Sequence, residues 1–376
     1  MASPLGWLRS TAGASGWTDL IGDSCAASHG GLRGLGGWLT MQTRYDFTNA
    51  AARGETMMRI SVWDGGLSDS YLKKVTQLGA DCIDFGGGNS FPGVEQQGYP
   101  DLDEVVKIKR RIHSWGLEIN RVTLPDITER FMKGEDGGER DLENSAAALR
   151  VFAEAGVPIA RQRFAGDTFN EQLTRFNTEH RGGYKSRAES LYLTRDRPAT
   201  PAKEELEQWW ANFCRVYERL VPIAEECGIR LAIHPSDSPL PDTPFGSLGF
   251  HRVTDTFPSR QVGYLYCCGT RAEAGGEPLV LSEINNYGRK GRIFMIHLRN
   301  VRGSLATAGG FEEVLLDDGD MNLFKVLLEL RKVGFAGCIN PDHIPGIEGD
   351  GADAHQGLAY SVGYLKALLA ALAGLP

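Results

Sequence analysis

Long hydrophobic runs are missing from this 376-residue chain. No window reaches the roughly 18 uninterrupted apolar residues that a membrane-spanning helix requires, so no membrane partner is expected. A disulfide framework is also missing: the seven cysteines are odd in number and irregularly spaced, which points to reduced thiols and a cytoplasmic location. Basic excess is absent, because the formal charge is −8, and a chain without a broad cationic face is not expected to bind nucleic acid. The partner implied is a small molecule, with homo-oligomerisation left open. The first residues, Met1 to about Gly54, are rich in Gly, Ala and Ser and lack the apolar core of a secretory signal. Residues 1–56 are read as a poorly ordered extension, Met41, Met57 and Met58 being alternative starts, since regular patterning begins only at Met58.

From there short apolar runs alternate with amphipathic ones. Residues 57–376 contain "MRISVW", "CIDFG", "EINRVT", "IARQRFA", "RLAIHP", "VGYLYCC", "IFMIHLRN" and "GCINPDH", eight strand-like segments with turn residues and helix-period sequence between them. Helices are expected in the segments beginning at Ser68, Asp101, Glu204 and Met321, ending near Gly79, Gly116, Gly228 and Gly334. Eight strand-helix alternations define a (β/α)8 TIM barrel. A doubly wound sheet is the alternative, but the run "GGGNSFPG" from Gly86 is not followed by a periodic helix and is no dinucleotide fingerprint.

In a barrel, chemistry gathers where strands end. The fifth strand ends at His234, the sixth at Cys267 and Cys268, the seventh at His297 and the eighth at Asp342 and His343. Neighbouring strands lie about 4.8 Å apart, so such ends can surround one point with imidazole, thiolate and carboxylate, a competent set for a divalent transition metal. Taken singly, each is equally readable as strand-end packing.

The segments "LAIHPSDSP", "YLYCCGT", "MIHLRNV", "GGFEEVLLDDGDMN" and "NPDH", in that order and spacing, resemble the mannonate dehydratase family of xylose isomerase-like barrels. The resemblance runs from about Met58 to the C-terminus and is densest from Arg230 onward. It implies a hydro-lyase of hexuronate catabolism holding manganese or a similar divalent ion, with ferrous, cobalt and zinc ions as alternatives. The implied ligands are His234, Cys267, His297 and Asp342, and strand alternation likewise sends Cys268 to the opposite face from Cys267. His343 is the implied catalytic group, with orientation of a metal ligand as its other reading.

Arg299 is a candidate to hold a substrate carboxylate and equally a candidate to pair with a neighbouring acid. Asn300 reads as a turn former and Asp237 as a turn residue within reach of the site. The long connection from about Gly166 to Pro201 is expected to be a loop insertion, and its cations Arg181 and Lys185, around two glycines and Tyr184, suit a lid over an anionic sugar acid. The sequence also departs from the family. Ala352 stands where the alignment places a catalytic tyrosine, with Tyr360 and His355 nearby, and Glu312 and Leu316 replace two histidines. The resemblance therefore implies dehydration of D-mannonate or a related aldonic acid to 2-keto-3-deoxy-D-gluconate. A sugar isomerase or epimerase, or a non-catalytic sugar-binding barrel stabilised by metal, remain as alternatives.

Overall fold

The computed structural model describes residues 58–376 apart from 168–171, 197–198, 247 and 352–354; the expected extension over residues 1–56 and the Ala352 position lie outside the described residues. Eight parallel strands close into a barrel. They are β1 (Arg59–Trp63), β2 (Cys82–Asp84), β3 (Glu118–Thr123), β4 (Ile159–Arg161), β7 (Arg230–Ile233), β8 (Val262–Cys267), β9 (Ile293–His297) and β12 (Cys338–Asn340). Each falls within one of the eight apolar runs named above. The expected helices form as α1 (Asp69–Leu78), α2 (Leu102–Ser114), α4 (Lys203–Cys227) and α7 (Leu323–Lys332). Further long helices are α3 (Glu139–Glu154), α5 (Leu248–Thr256), α6 (Cys268–Arg289, kinked at Gly276) and α8 (His355–Ala373). Gly79 and Gly228 stop α1 and α4 in the left-handed region, at φ 89° and 71°, a conformation without steric cost only for glycine.

Strand alternation separates two cores. Ile60, Val62, Ile83, Val122, Leu231, Ile233, Ile296 and Ile339 face outward and pack with the helices. Ile159, Ala232, Leu265, Phe294 and Met295 form a small apolar cluster of their own. Beside Met295 sits a buried polar plug: the Asp84 carboxylate accepts from Ser61 Oγ at 2.5 Å, Asn120 Nδ2 at 2.7 Å and Asn340 Nδ2 at 2.7 Å. Three donors to one carboxylate hold strands β1, β2, β3 and β12 together inside the barrel.

The connection after the fourth barrel strand differs from the expected loop. It forms a hairpin, β5 (Thr174–Glu179) and β6 (Lys185–Ser190). Together with β10 (Asn300–Arg302) and β11 (Gly310–Val314), which follow β9, it makes a four-stranded antiparallel sheet in the order β10-β11-β6-β5. Two excursions from opposite halves of the barrel thus cover each other's backbone edges, satisfying hydrogen-bonding groups that an open loop would leave to water. Tyr184 pins them: its hydroxyl donates to Asp318 Oδ2 at 2.8 Å and accepts from the Leu315 amide at 3.3 Å.

Candidate metal and acid-base site

His234 follows the last residue of β7, while Cys267 and His297 end β8 and β9 in register with one another. One ligand atom from each lies within 4.8 Å of the other two, and all three side chains are buried. Cys268, one residue on, packs into the outer core and is not part of the cluster. The cluster suits a metal ion on its own chemistry. His234 Nδ1 lies 2.6 Å from the Pro235 carbonyl, which places its proton on Nδ1 and leaves the Nε2 lone pair available. His297 Nε2 is buried without a hydrogen-bond partner. Burial, reinforced by the Arg161 guanidinium, holds His234 well below the ordinary imidazole value, and burial likewise lowers His297. Both shifts favour the neutral ring, the form that can ligate a metal.

Burial pushes the Cys267 thiol up to about 11. Two donors nevertheless point at its sulfur, the Thr270 amide at 3.3 Å and the Thr270 hydroxyl at 3.2 Å. A divalent ion held here would displace the thiol proton, and these donors would stabilise the thiolate. Two neutral imidazoles and a thiolate form a borderline-soft set that accepts manganese, iron, cobalt or zinc.

Asp342 stands beside the cluster. Its Oδ2 lies 3.3 Å from His297 Nδ1 and 3.3 Å from Arg299 Nε, and it is not among the three side chains whose ligand atoms converge. Burial opposes its ionisation, but His297, His343 and Arg299 more than offset this and hold the carboxyl well below the usual range. Its backbone is left-handed, with φ 45°, a conformation that Asp tolerates better than most residues. Asn340 fixes the turn by accepting the Asp342 amide at 2.9 Å. The sharp change of direction after β12 lets successive residues, Asp342 and His343, both serve the barrel mouth.

His343 Nδ1 lies 2.7 Å from Glu313 Oε1, and its Nε2 lies 3.9 Å from Asp342 Oδ2. Burial lowers its pKa, yet the carboxylates of Asp342 and Glu313 outweigh burial and leave it raised. Of the two readings open for Arg299, the structure places it among acids. Its guanidinium pairs with Glu273, with Glu313 at 3.0 Å and with Asp342, and donates to Thr270 Oγ1 at 2.8 Å. Its charge is thereby spent on holding Asp342, Thr270 and Glu313 in place around the metal cluster.

The two lid cations also lie apart from the cluster. Arg181 makes a two-pronged pair with Asp317 at 2.5 and 2.8 Å, and it lines an outer cavity of about 800 Å³ with Tyr184, Lys185 and Tyr360. Lys185 pairs with Glu179 at 3.3 Å but also borders a second recess, of about 400 Å³, that contains Asn177, Arg187, Glu313 and His343. Arg187 of the hairpin shares Glu313 with His343, its Nη2 lying 2.7 Å from Glu313 Oε1. Asp237 approaches His234 Nδ1 at 3.4 Å. Asn300, expected as a turn former, instead begins β10, and its Nδ2 donates to the Leu316 and Met321 carbonyls at 2.9 and 3.1 Å.

Glu313 and Glu273 were not given roles by sequence reasoning. Glu313 sits in the quoted "GGFEEV" run, but its partners come from three separate segments and leave no local signal.

The family model for D-mannonate dehydratase matches residues 195–375. That span holds α4, the second half of the barrel and all of His234, Cys267, His297, Asp342 and His343. The mannonate dehydratase of Thermotoga petrophila is 26% identical over 298 residues, covering 68% of this chain and 81% of the relative. That of Streptococcus pneumoniae is 27% identical over 291 residues, covering 68% and 76%. Among solved structures, a mannonate dehydratase from Streptococcus suis superimposes with TM-score 0.69 at 24% identity, over 85% of this chain and 97% of that one. A xylose isomerase domain protein from Alicyclobacillus acidocaldarius gives TM-score 0.57 at 15% identity, over 84% and 100%. The class defined by fold is the xylose isomerase-like TIM barrel. Within it, this chain is similar to the mannonate dehydratases, and the resemblance first carried by its strand-end motifs extends over 68% of the chain.

Proposed function

We propose that the protein is a metal-dependent sugar-acid dehydratase that converts D-mannonate, or a closely related aldonic acid, to the 2-keto-3-deoxy acid and water. The observation that supports this most strongly is the convergence of His234, Cys267 and His297 with His343 alongside, joined to the mannonate dehydratase relatives. The reaction removes a weakly acidic proton from the carbon next to the carboxylate and expels hydroxide from the carbon after it. The enol that results tautomerises to the ketone. His234, Cys267 and His297, with Asp342 beside them, would hold the divalent ion, which supplies Lewis-acid stabilisation of the negative charge developing next to the carboxylate.

The chain's own residues supply the proton and the orientation. His343 is the acid that protonates the departing hydroxyl. Its contact with Glu313 at 2.7 Å fixes the ring and favours the charged form. Arg187 and Arg299 in turn anchor Glu313, at 2.7 and 3.0 Å. The four-stranded sheet thus reaches the chemistry through one glutamate, and the recess of about 400 Å³ beside His343 is the space for the sugar chain.

The alanine at position 352, where the family's tyrosine is expected, favours one second reading: an isomerase or epimerase on the same metal cradle. Proton NMR of the manganese-loaded protein incubated with a panel of aldonic and uronic acids separates the two. Dehydration is expected to produce a new methylene at C3 and a ketone at C2 from at least one aldonic acid. An interconverted sugar that has lost no water would overturn the lyase reading.

A further inference from the structure

Three arginines are among the largest fully buried side chains: Arg121, Arg271 and Arg299. Two of them are neutralised by carboxylates, Arg271 by Glu283 at 2.7 Å and Arg299 by Glu273, Glu313 and Asp342. Arg121 is different. Its Nη1 donates to the Phe85 carbonyl at 2.6 Å and to Thr123 Oγ1 at 2.7 Å. Its Nε and Nη2 are buried with no partner, and no carboxylate among the described residues forms an ion pair with it. A guanidinium withdrawn from water without a counter-ion is strongly disfavoured.

The backbone places it there deliberately. Ile83 pairs with Ile119 and Asp84 with Arg121, so Asn120 is an extra residue in β3. Such a bulge re-aims side chains. Asn120 reaches Asp84 in the polar plug, while Arg121 comes into register with both Asp84 and the inward Ile159. Simple alternation would have sent one of the two outward. The Arg121 guanidinium lies 5.0 Å from the centre of the Trp63 ring, and Trp63 stands edge-on to the His297 ring at 5.5 Å. Arg121 therefore borders the metal cluster across a single indole.

A second arginine stands next to it. Arg161 ends β4, opposite Thr123 on one side and Ala232 on the other, two residues before His234. Its Nε is also buried without a partner, and it too forms no ion pair among the described residues. The two cations are close enough to act on one another. Burial, opposed by Asp84 and reinforced by Arg161, brings Arg121 down to about 10, and Arg161 also depresses His234. Two guanidinium groups on adjacent strands, each with a buried N–H donor left unsatisfied, suit the reception of an anion.

We propose that Arg121 and Arg161, on β3 and β4 beside the His234–Cys267–His297 cluster, form the subsite that receives the carboxylate of the sugar acid. The proposal rests on the sugar-acid reading for the class of ligand. It assigns carboxylate recognition to the first half of the barrel, upstream of residue 195 where the family model begins to match. It also accounts for Arg181 and Lys185 being paired with acids away from the cluster, because the substrate's charge has its receptor on strands β3 and β4.

Calorimetric titration of the full chain with D-mannonate and with neutral D-mannitol tests it, in the presence of chelator so that no turnover intervenes. Wild type is expected to prefer mannonate. Arg161→Gln and Arg121→Met should each weaken mannonate binding by roughly 10- to 100-fold, the range for one charge-assisted contact, with mannitol binding unchanged. Arg121→Met should melt no lower than wild type without ligand, since it removes an uncompensated buried charge and the Phe85 carbonyl keeps the Thr123 hydroxyl at 3.0 Å. Equal affinity of wild type for acid and alcohol would overturn the proposal, as would unchanged mannonate binding in both variants. A lower melting temperature for Arg121→Met with intact binding would show a structural arginine instead. Because binding is read without turnover, failure of the dehydration assay and failure of this subsite are separate results.

Discussion

His343→Asn is expected to cut kcat by about 10²-fold or more, the contribution typical of a positioned general acid, with metal content and melting temperature nearly intact. The substitution keeps size and polarity but removes the titrating proton. Its effect should fall on kcat rather than KM, because the departing hydroxyl needs the proton only as the C–O bond breaks. The pH profile gives a second readout. The folded-state pKa of His343 is raised, burial being outweighed by Asp342 and Glu313. The charged, proton-donating form therefore persists above the ordinary imidazole value, and wild-type kcat should fall on the alkaline side of it. In His343→Asn that alkaline fall should vanish along with the activity. Metal loss in the variant would instead assign His343 to holding Asp342, whose Oδ2 lies 3.9 Å from His343 Nε2.

The second large effect concerns the metal itself. Wild type should carry about one divalent ion per chain, and His234→Ala or His297→Ala should each reduce it to background, because each removes one of the three convergent ligands. Cys267→Ser should retain a weaker site whose preference moves toward harder ions, since the thiolate is the soft member of the set. Cys268→Ser should leave both occupancy and preference alone, its side chain being packed in the outer core. Elemental analysis after gel filtration reads all four variants. Equal metal in wild type and both histidine variants would remove the cluster from the account.

How much of this was legible in the sequence depends on where the signal resides. The eight barrel strands are visible because parallel strands buried on both faces read as continuous apolar runs, and "LAIH", "YLYC" and "MIH" each end such a run with a chemistry-bearing side chain. The four-stranded sheet is not visible. "TRFNTE" alternates between half-buried and exposed positions, "KSRAES" is buried or half-buried after its first residue without alternating, and both have little apolar content. Their partner β11 lies more than a hundred residues downstream, pairing Phe311 with Glu189. Pairing at that distance leaves no local pattern.

The same limit explains the arginines. Charge density marked the hairpin, yet Arg181 and Lys185 are paired with Asp317 and Glu179, whereas Arg187, two residues beyond Lys185, reaches Glu313. Arg121 was hidden by a one-residue register shift, which is a property of the sheet and not of the strand. The sequence did carry one trace of it: an arginine between Asn and Val in "EINRVT", at a position where a strand interior ordinarily has none.

Chelation followed by metal restoration tests the central claim most directly. Purified full-length protein is incubated with D-mannonate, and the 2-keto-3-deoxy acid is quantified before chelation, after it, and after addition of manganous ion. The account predicts product in the first sample, its loss in the second and its return in the third. Product formation indifferent to the chelator, or conversion of mannonate to an isomer that retains its water, would contradict it.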